Sequence, residues 1–208
     1  MEIACLLACS AAVSASQLAT TSEDMPGRFL PGKYFQYKAQ IYLKKKDYAI
    51  SLEMSKLASY WADKTAQYNV GILYFTGTGI AQDKVRGVAW LHIAAEHKSP
   101  VAVHALELAD AELTPQQRLE AVAIWHELDL TYDDAVTLRR AKAHFDAEKR
   151  NVTGSRVGFV GALHITDASG SYTGDQYYAK QQRDFDTFVE DNFGHGHVDI
   201  GAIEPVTN

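Results

Sequence analysis

The stretch AQYNVGILYFTGTGIAQDKVRGVAWLHIAA, residues 66–95, determines the fold expected for this chain. Apolar residues recur at spacings of three and four on both sides of a glycine-containing segment, which predicts helices over 66–76 and 83–97. Gly77 and Gly79 allow the positive φ values that a sharp reversal needs, and Asp83 is suited to cap the second helix. Such a hairpin cannot bury its own apolar face, so it must stack on similar units.

Less regular helical hairpins are predicted on either side of this unit. Residues 33–61 show the helical period on both sides of a polar corner at Lys45-Lys46-Asp47. Residues 101–113 repeat the central unit at an offset of 36 residues. Thr114-Pro115-Gln116-Gln117 then supplies an N-cap, a first-turn proline and a capping-box glutamine. One more helix is predicted from Asp133 to about Lys149.

The central stretch resembles a Sel-one-like repeat, a relative of the tetratricopeptide repeat. Small residues would let the two helices approach closely, and two aromatic residues would fill the space between them. The flanking units are poorer copies, since 33–58 looks more like a plain tetratricopeptide unit and 101–128 lacks the glycine loop. Gly87 stands where the family usually has alanine. The residues that carry the resemblance are Ala66, Gly71, Tyr74, Gly77, Gly79, Asp83, Ala89, Trp90, Ala94 and Ala95.

The resemblance implies a scaffold whose inner groove binds a peptide or another protein. Two interpretations of the apolar groove residues stay open. Tyr68, Phe75 and Leu108 could line the groove, or they could pack against an adjacent helix. If they line the groove, alanine at Tyr68 and Phe75 should weaken partner capture and leave melting unchanged. The groove side chains placed by the family's pattern are Lys33, Gln36, Gln40, Leu43, Tyr68, Ile72, Phe75, His104 and Leu108.

The expected fold class is mostly α, a short α-solenoid of tetratricopeptide/Sel-one-like helical hairpins with a small C-terminal α+β segment. In that segment, β-like runs at 157–165 and 198–203 flank a helix over 177–193. The domain boundaries follow from these changes of period. They are a signal peptide at 1–15, a linker at 16–31, the helical-repeat solenoid at 32–130, an additional helix at 131–150 and the α+β segment at 151–208.

The N-terminal residues have features of an export signal. Residues 3–15 are as long as a secretory apolar region and end in Val13-Ser14-Ala15, a small-residue cleavage pattern. Glu2 stands where a basic residue is expected, which a start site further upstream would explain. Leu6-Leu7-Ala8-Cys9 resembles a bacterial lipobox, which would make Cys9 a lipid attachment point. We expect a bacterial exported protein of the periplasm, with lipid anchoring at Cys9 as a variant.

Composition excludes several function classes. A net charge of −6 offers no basic footprint for nucleic acid, and no segment is apolar for long enough to span a membrane. Both cysteines lie in the first nine residues, so no cysteine metal site is expected in the folded body.

His195, His197 and Asp199 would alternate onto one face of an extended strand, where they could hold zinc. Their spacing resembles part of the metallo-β-lactamase pattern. However, that pattern has a histidine after the aspartate, and here Ile200 follows Asp199.

The sequence therefore predicts a non-enzymatic scaffold or adaptor of the bacterial cell envelope that binds a protein or peptide and needs no cofactor. Two alternatives stay open. One is an envelope metal-dependent hydrolase with its site near His195 and His197. The other is a structural subunit of an envelope assembly, joined to its partner through residues 151–208.

Overall fold

Helical hairpins form the body of the protein, as a computed structural model shows for residues 27–153, 164–167 and 170–194. Each hairpin consists of two consecutive helices that pack on each other or on the neighbouring hairpin. The expected short solenoid is confirmed. Its helices are α1 (Pro31–Lys44), α2 (Tyr48–Tyr60), α3 (Lys64–Thr76), α4 (Lys84–Ala95), α5 (Pro100–Ala111) and α6 (Pro115–Tyr132).

Side-chain caps fix where these helices begin and end. The carboxylates of Asp63 and Asp83 accept hydrogen bonds from backbone N–H groups in the first turns of α3 and α4. Thr114 and Gln117 form the predicted capping box of α6. Gly77 ends α3 with a φ of 66°, a left-handed conformation that glycine adopts without strain. The positions that the sequence marked as helix boundaries therefore act as such.

Helix α3 occupies the centre of the stack, because it has neighbours on nearly every side. It packs against α4 within its own hairpin and against α2 of the preceding one. One apolar cluster joins α3 to α4, α5 and Ala121 of α6. A second cluster, containing Leu52, Val70, Leu73 and Trp90, joins it to α2 and α4. The central hairpin is therefore covered from both ends of the stack.

Helix α7 (Asp134–Thr153) follows α6 and lies beside the segment that joins the first hairpin to the second. Its Arg140 donates hydrogen bonds to the carbonyl oxygens of Tyr60 and Thr131. Further along, the ring of His144 donates to the carbonyl oxygen of Arg28. Helix α7 therefore ties the last hairpin to the segment that precedes the first. It is longer than the helix predicted from Asp133 to Lys149.

A two-stranded antiparallel sheet, β1 (His164–Asp167) and β2 (Gly170–Thr173), precedes α8 (Gly174–Phe193). The predicted helix over 177–193 is present and begins earlier, because Thr173 and Gln176 form a capping box. The sequence missed β2, and the runs 157–163 and 198–203 lie outside the described residues. The domain boundaries stay predictions.

Helix α8 packs onto the start of the solenoid and onto α7. The side chains in this contact come from the segment before α1, the α2–α3 corner, α7 and α8 itself. They are Phe29, Leu30, Ala62, Ala141, Phe145, Tyr178, Phe185 and Phe188. Within the described ranges, none of the helices is long and apolar enough to cross a membrane.

Candidate partner-binding surface

A narrow cleft between α1, α2 and α3 contains two of the predicted groove residues. Gln40 and Leu43 line it from α1, and Asn69 lines it from α3. All three side chains are half-buried, and Ser51 and Ser55 of α2 also line the cleft. The cleft thus presents amide groups that can donate and accept hydrogen bonds beside an apolar side chain.

Helix α5 also carries accessible side chains at predicted groove positions. The repeat offset of 36 residues places Val101 at the position of the exposed Thr65 in α3. Val101 is 57% exposed, His104 is exposed and Leu108 is half-buried. Sequence reasoning named the last two and missed Val101, although the offset from Thr65 would have found it. The open surface is the set of six side chains Gln40, Leu43, Asn69, Val101, His104 and Leu108.

The structure corrects the assignment of Tyr68, Ile72 and Phe75 to the groove. Their exposed fractions are 6%, 1% and 3%, so none can contact a partner in the folded protein. They pack in the cluster that α3 forms with Val88 and Leu91 of α4 and with the alanines of α5. The physical reason is the central position of α3, whose apolar stripe is covered by two neighbouring helices. The packing interpretation of Tyr68 and Phe75 is the right one.

The start of α1 is also less accessible than predicted. Gln36 is buried, and neither atom of its side-chain amide has a hydrogen-bond partner in the described part of the chain. Its assignment to an accessible groove is therefore wrong. The Lys33 ammonium lies 3.9 Å from a carboxylate oxygen of Asp191 and 5.9 Å from the ring centroid of Phe188. Helix α8 therefore engages Lys33, and the open surface begins further along α1.

The residues that define the central repeat occupy the positions that their types suggest. Most of them lie in the contact between α3 and α4. Trp90 and Tyr74 belong to the cluster shared with α2, and Trp90 also packs against the ring of Tyr132, with 4.5 Å between ring centroids. The small residues Ala66, Gly71, Ala89 and Ala94 are buried, and Ala95 is half-buried. Gly79 has a positive φ of 68°, close to the 66° of Gly77.

A buried lysine stands at the edge of the stack where α7 begins. The ammonium of Lys64 pairs with the carboxylates of Asp134 and Glu96, and donates hydrogen bonds to Gln67 and to the Ile93 carbonyl oxygen. Burial lowers the pKa of Lys64 to about 8 and raises the pKa of Glu96 to about 7. This cluster connects α3, α4 and α7 through charge.

Three carboxylates beside Lys64 are close enough together to hold a metal ion. Oxygens of Glu96, Asp129 and Asp133 lie within 4.8 Å of one another. All three carboxylates interact with the Lys64 ammonium, which is itself buried. A lysine in this position supplies the positive charge that a metal ion would otherwise provide, so we assign the cluster a structural role.

Several predicted sites lie outside the described residues. The candidate zinc ligands His195, His197 and Asp199 follow the end of α8, and Cys9 precedes α1. The hydrolase alternative and the lipid anchor therefore rest on the sequence alone.

Comparison with known proteins agrees with the geometry of the central hairpin. The family model of the Sel1 repeat matches residues 64–99. Residues 64–99 are a Sel1 repeat. A solved structure with a similar arrangement is c5321, described as a protective antigen present in uropathogenic Escherichia coli strains displaying an SLR fold. It is 19% identical, with a TM-score of 0.48, and the similar region covers 53% of this chain and 25% of that chain. No curated protein matches the chain.

The structure explains why the Sel1 repeat of this chain has glycine at position 87. A Cβ atom there would lie 2.6 Å from the backbone nitrogen of Phe75. Gly71 faces it, and a Cβ atom at that position would lie 2.8 Å from Leu91 Cγ. The two glycines let the backbones of α3 and α4 approach each other more closely than alanine would permit. The departure from the family pattern is therefore a packing feature of this repeat.

Proposed function

We propose that the protein binds another protein or a peptide on the open surface. Sel1 repeats generally act as protein-interaction scaffolds and are typically non-enzymatic. The observation that carries the proposal is that the six side chains of the open surface on α1, α3 and α5 are exposed or half-buried, whereas Tyr68, Ile72 and Phe75 of α3 are buried. Binding through this surface needs no rearrangement of the hairpins.

The chemistry of the open surface favours a short extended segment of the partner. The side-chain amides of Gln40 and Asn69 can pair with backbone N–H and C=O groups. Leu43, Val101 and Leu108 can contact apolar side chains of the same segment. Neighbouring helices pack about 9 Å apart, so three helices span about 20 Å. At about 3.3 Å per residue, this length accommodates roughly six residues of extended peptide.

The proposed place of action is the bacterial cell envelope, with the protein acting as a scaffold or adaptor. The apolar run over 3–15 and its small-residue end support this proposal as an export signal. The mass of the protein recovered from a periplasmic fraction tests it. Cleavage after Ala15 is expected. Recovery of the uncleaved chain from the cytoplasm alone would contradict export, and a lipid-modified Cys9 would establish the anchored variant.

Site-specific photo-crosslinking in the native host tests the binding surface. A photoreactive amino acid placed at His104 should give one discrete adduct, because that side chain is exposed on the open surface. The same amino acid at Lys142, an exposed position on α7, is the matched control and should give none.

A further variant tests whether the adduct reflects binding. Val101→Asp changes an exposed residue, so it should reduce the yield at His104 without changing the melting temperature. Equal adducts from His104 and Lys142 would contradict the assignment of the open surface, as would no adduct from either position.

A further inference from the structure

The cleft between α1, α2 and α3 has a buried floor and a half-buried rim. The rim consists of the three residues of the open surface that line the cleft. The residues of the floor are at most 2% exposed, and they are Ala39, Ser51, Ser55 and Leu73. The two serines are therefore the polar groups that a partner would meet at the bottom of the cleft.

Three buried serines follow one face of α2 at intervals of four residues. The hydroxyl of Ser51 donates a hydrogen bond of 2.8 Å to the carbonyl oxygen of Ala39. The hydroxyl of Ser59 donates one of 2.8 Å to the carbonyl oxygen of Ser55. The hydroxyl of Ser55 itself makes no hydrogen bond to any residue that the structure describes. Buried polar groups nearly always have a partner, so this hydroxyl needs an explanation.

The size of the cleft limits what can reach Ser55. Its enclosed volume is about 10 Å³. A single water molecule needs roughly 10–15 Å³ of such space, so the cleft accepts one group of that size. A hydroxyl group fits this limit, whereas the amide of an asparagine or glutamine side chain exceeds it.

The lining of the cleft also limits the charge of the group. None of the residues on its floor or rim is ionisable. A carboxylate or an ammonium group would lose its hydration there without gaining an opposite charge, which is costly. The group that enters is therefore neutral, and it must donate or accept a hydrogen bond to pair with Ser55.

We infer that the partner inserts the hydroxyl group of a serine or threonine side chain into the cleft, where it hydrogen-bonds to Ser55. This inference rests on the proposed function, because it requires a peptide segment on the open surface. The backbone of the segment stays at the rim, beside the amides of Gln40 and Asn69. A hydroxyl one carbon beyond the backbone then extends to the floor. Ser55 is thus a specificity-determining residue of the open surface.

Peptide selection with the full chain tests this specificity. The probe is a library of randomised hexapeptides displayed on phage, because the open surface accommodates about six extended residues. The selected peptides should share a serine or threonine at one fixed position. The other positions should vary more widely, since they contact side chains at the surface.

A double-mutant cycle then assigns the shared hydroxyl to Ser55. One selected peptide is compared with an analogue that has alanine at the shared position, using isothermal titration calorimetry. The analogue should bind wild type about tenfold more weakly, because one hydrogen bond is lost and Ser55 is left without a partner. Ser55→Ala should bind both peptides with affinities within about twofold of each other. Ser59→Ala is the matched control and should keep the tenfold preference, since Ser59 is buried one turn further along α2.

Thermal unfolding without peptide tests the state of Ser55 in the free protein. Ser55→Ala should leave the melting temperature unchanged or raise it, because no hydrogen bond is removed. Ser51→Ala removes the bond to Ala39 and should lower the melting temperature by about 2–4 °C. An equal decrease in Ser55→Ala would show that its hydroxyl is already paired, and this would overturn the inference.

The peptide results separate failure of the inference from failure of the proposed function. Peptides that bind without a shared serine or threonine would overturn the inference and leave binding on the open surface intact. A tenfold preference that persists in Ser55→Ala would also overturn it, because the hydroxyl would then bind elsewhere. If no hexapeptide binds, the proposed binding of a short segment fails, and the inference fails with it.

Discussion

The substitution Phe75→Ala separates the core role of this residue from the groove role that the sequence also allowed. Phe75 is 3% exposed and packs between α4 and α5. Truncation of a buried phenylalanine to alanine costs about 3–5 kcal/mol, because the side chain leaves a cavity that its neighbours fill only in part. The ammonium of Lys84, 5.4 Å from the ring centroid, adds a cation–π contribution of about 0.5–1 kcal/mol.

This loss is large compared with the stability of a single domain. Domains unfold with about 5–15 kcal/mol, so the variant should lose about a third or more of its free energy of unfolding. With a slope of about 2 kcal/mol per molar urea, the midpoint of urea unfolding should fall by roughly 2 M. Circular dichroism at helical wavelengths measures the transition.

The matched comparison is His104→Ala, a change on the open surface. His104 is exposed, so its removal should alter the free energy of unfolding by less than about 0.5 kcal/mol. It should also weaken partner capture, whereas Phe75→Ala should reduce capture only in proportion to the unfolded fraction. The reasoning is refuted if Phe75→Ala keeps the wild-type midpoint and loses capture, since Phe75 would then contact the partner directly.

Further substitutions test the packing, the charge cluster and the C-terminal helix. Gly87→Ala should destabilise the protein by about 1–3 kcal/mol in urea unfolding, and by more than Gly71→Ala, because its new Cβ would meet backbone atoms; equal effects would contradict this. The pKa of Glu96 is about 7 in the folded state and near 4.5 when unfolded, so the folded state binds more protons between these pH values. The wild type should therefore lose stability relative to Glu96→Gln as pH rises through this range. The prediction is refuted if the urea midpoints of wild type and variant differ by the same amount at pH 5 and at pH 7.5. Asn192→Ala should cost about 1–3 kcal/mol, because it leaves the first backbone N–H of α3 without its partner; faster hydrogen exchange of that amide is the check.

Local signals in the sequence predicted the hairpins well, because they depend on residues close together in the chain. Asp83 and Thr114 were assigned as caps from their spacing alone, and both accept the expected hydrogen bonds. The glycine loop was assigned in the same way, and Gly77 and Gly79 both have positive φ. Strand β2 was missed because it is four residues long and lies directly before a capped helix.

The binding surface was harder to predict, because helical spacing shows which residues share a face but not what covers that face. Tyr68, Ile72 and Phe75 lie on one apolar stripe whether α4 and α5 or a partner covers it. Lys33 depends on a still more distant contact, since its partner Asp191 is 158 residues further along the chain. No local pattern identifies such a pairing.

The sequence by itself determined the helices, their caps and turns, and the Sel1 repeat at the centre of the stack. Only the tertiary structure decided which side chains remain accessible, because burial is set by neighbours far away in the chain. Tyr68, Ile72 and Phe75 are buried because α4 and α5 pack against α3. Val101 on α5 is exposed. The contact of α8 with Lys33 at the start of α1 decided where the open surface begins.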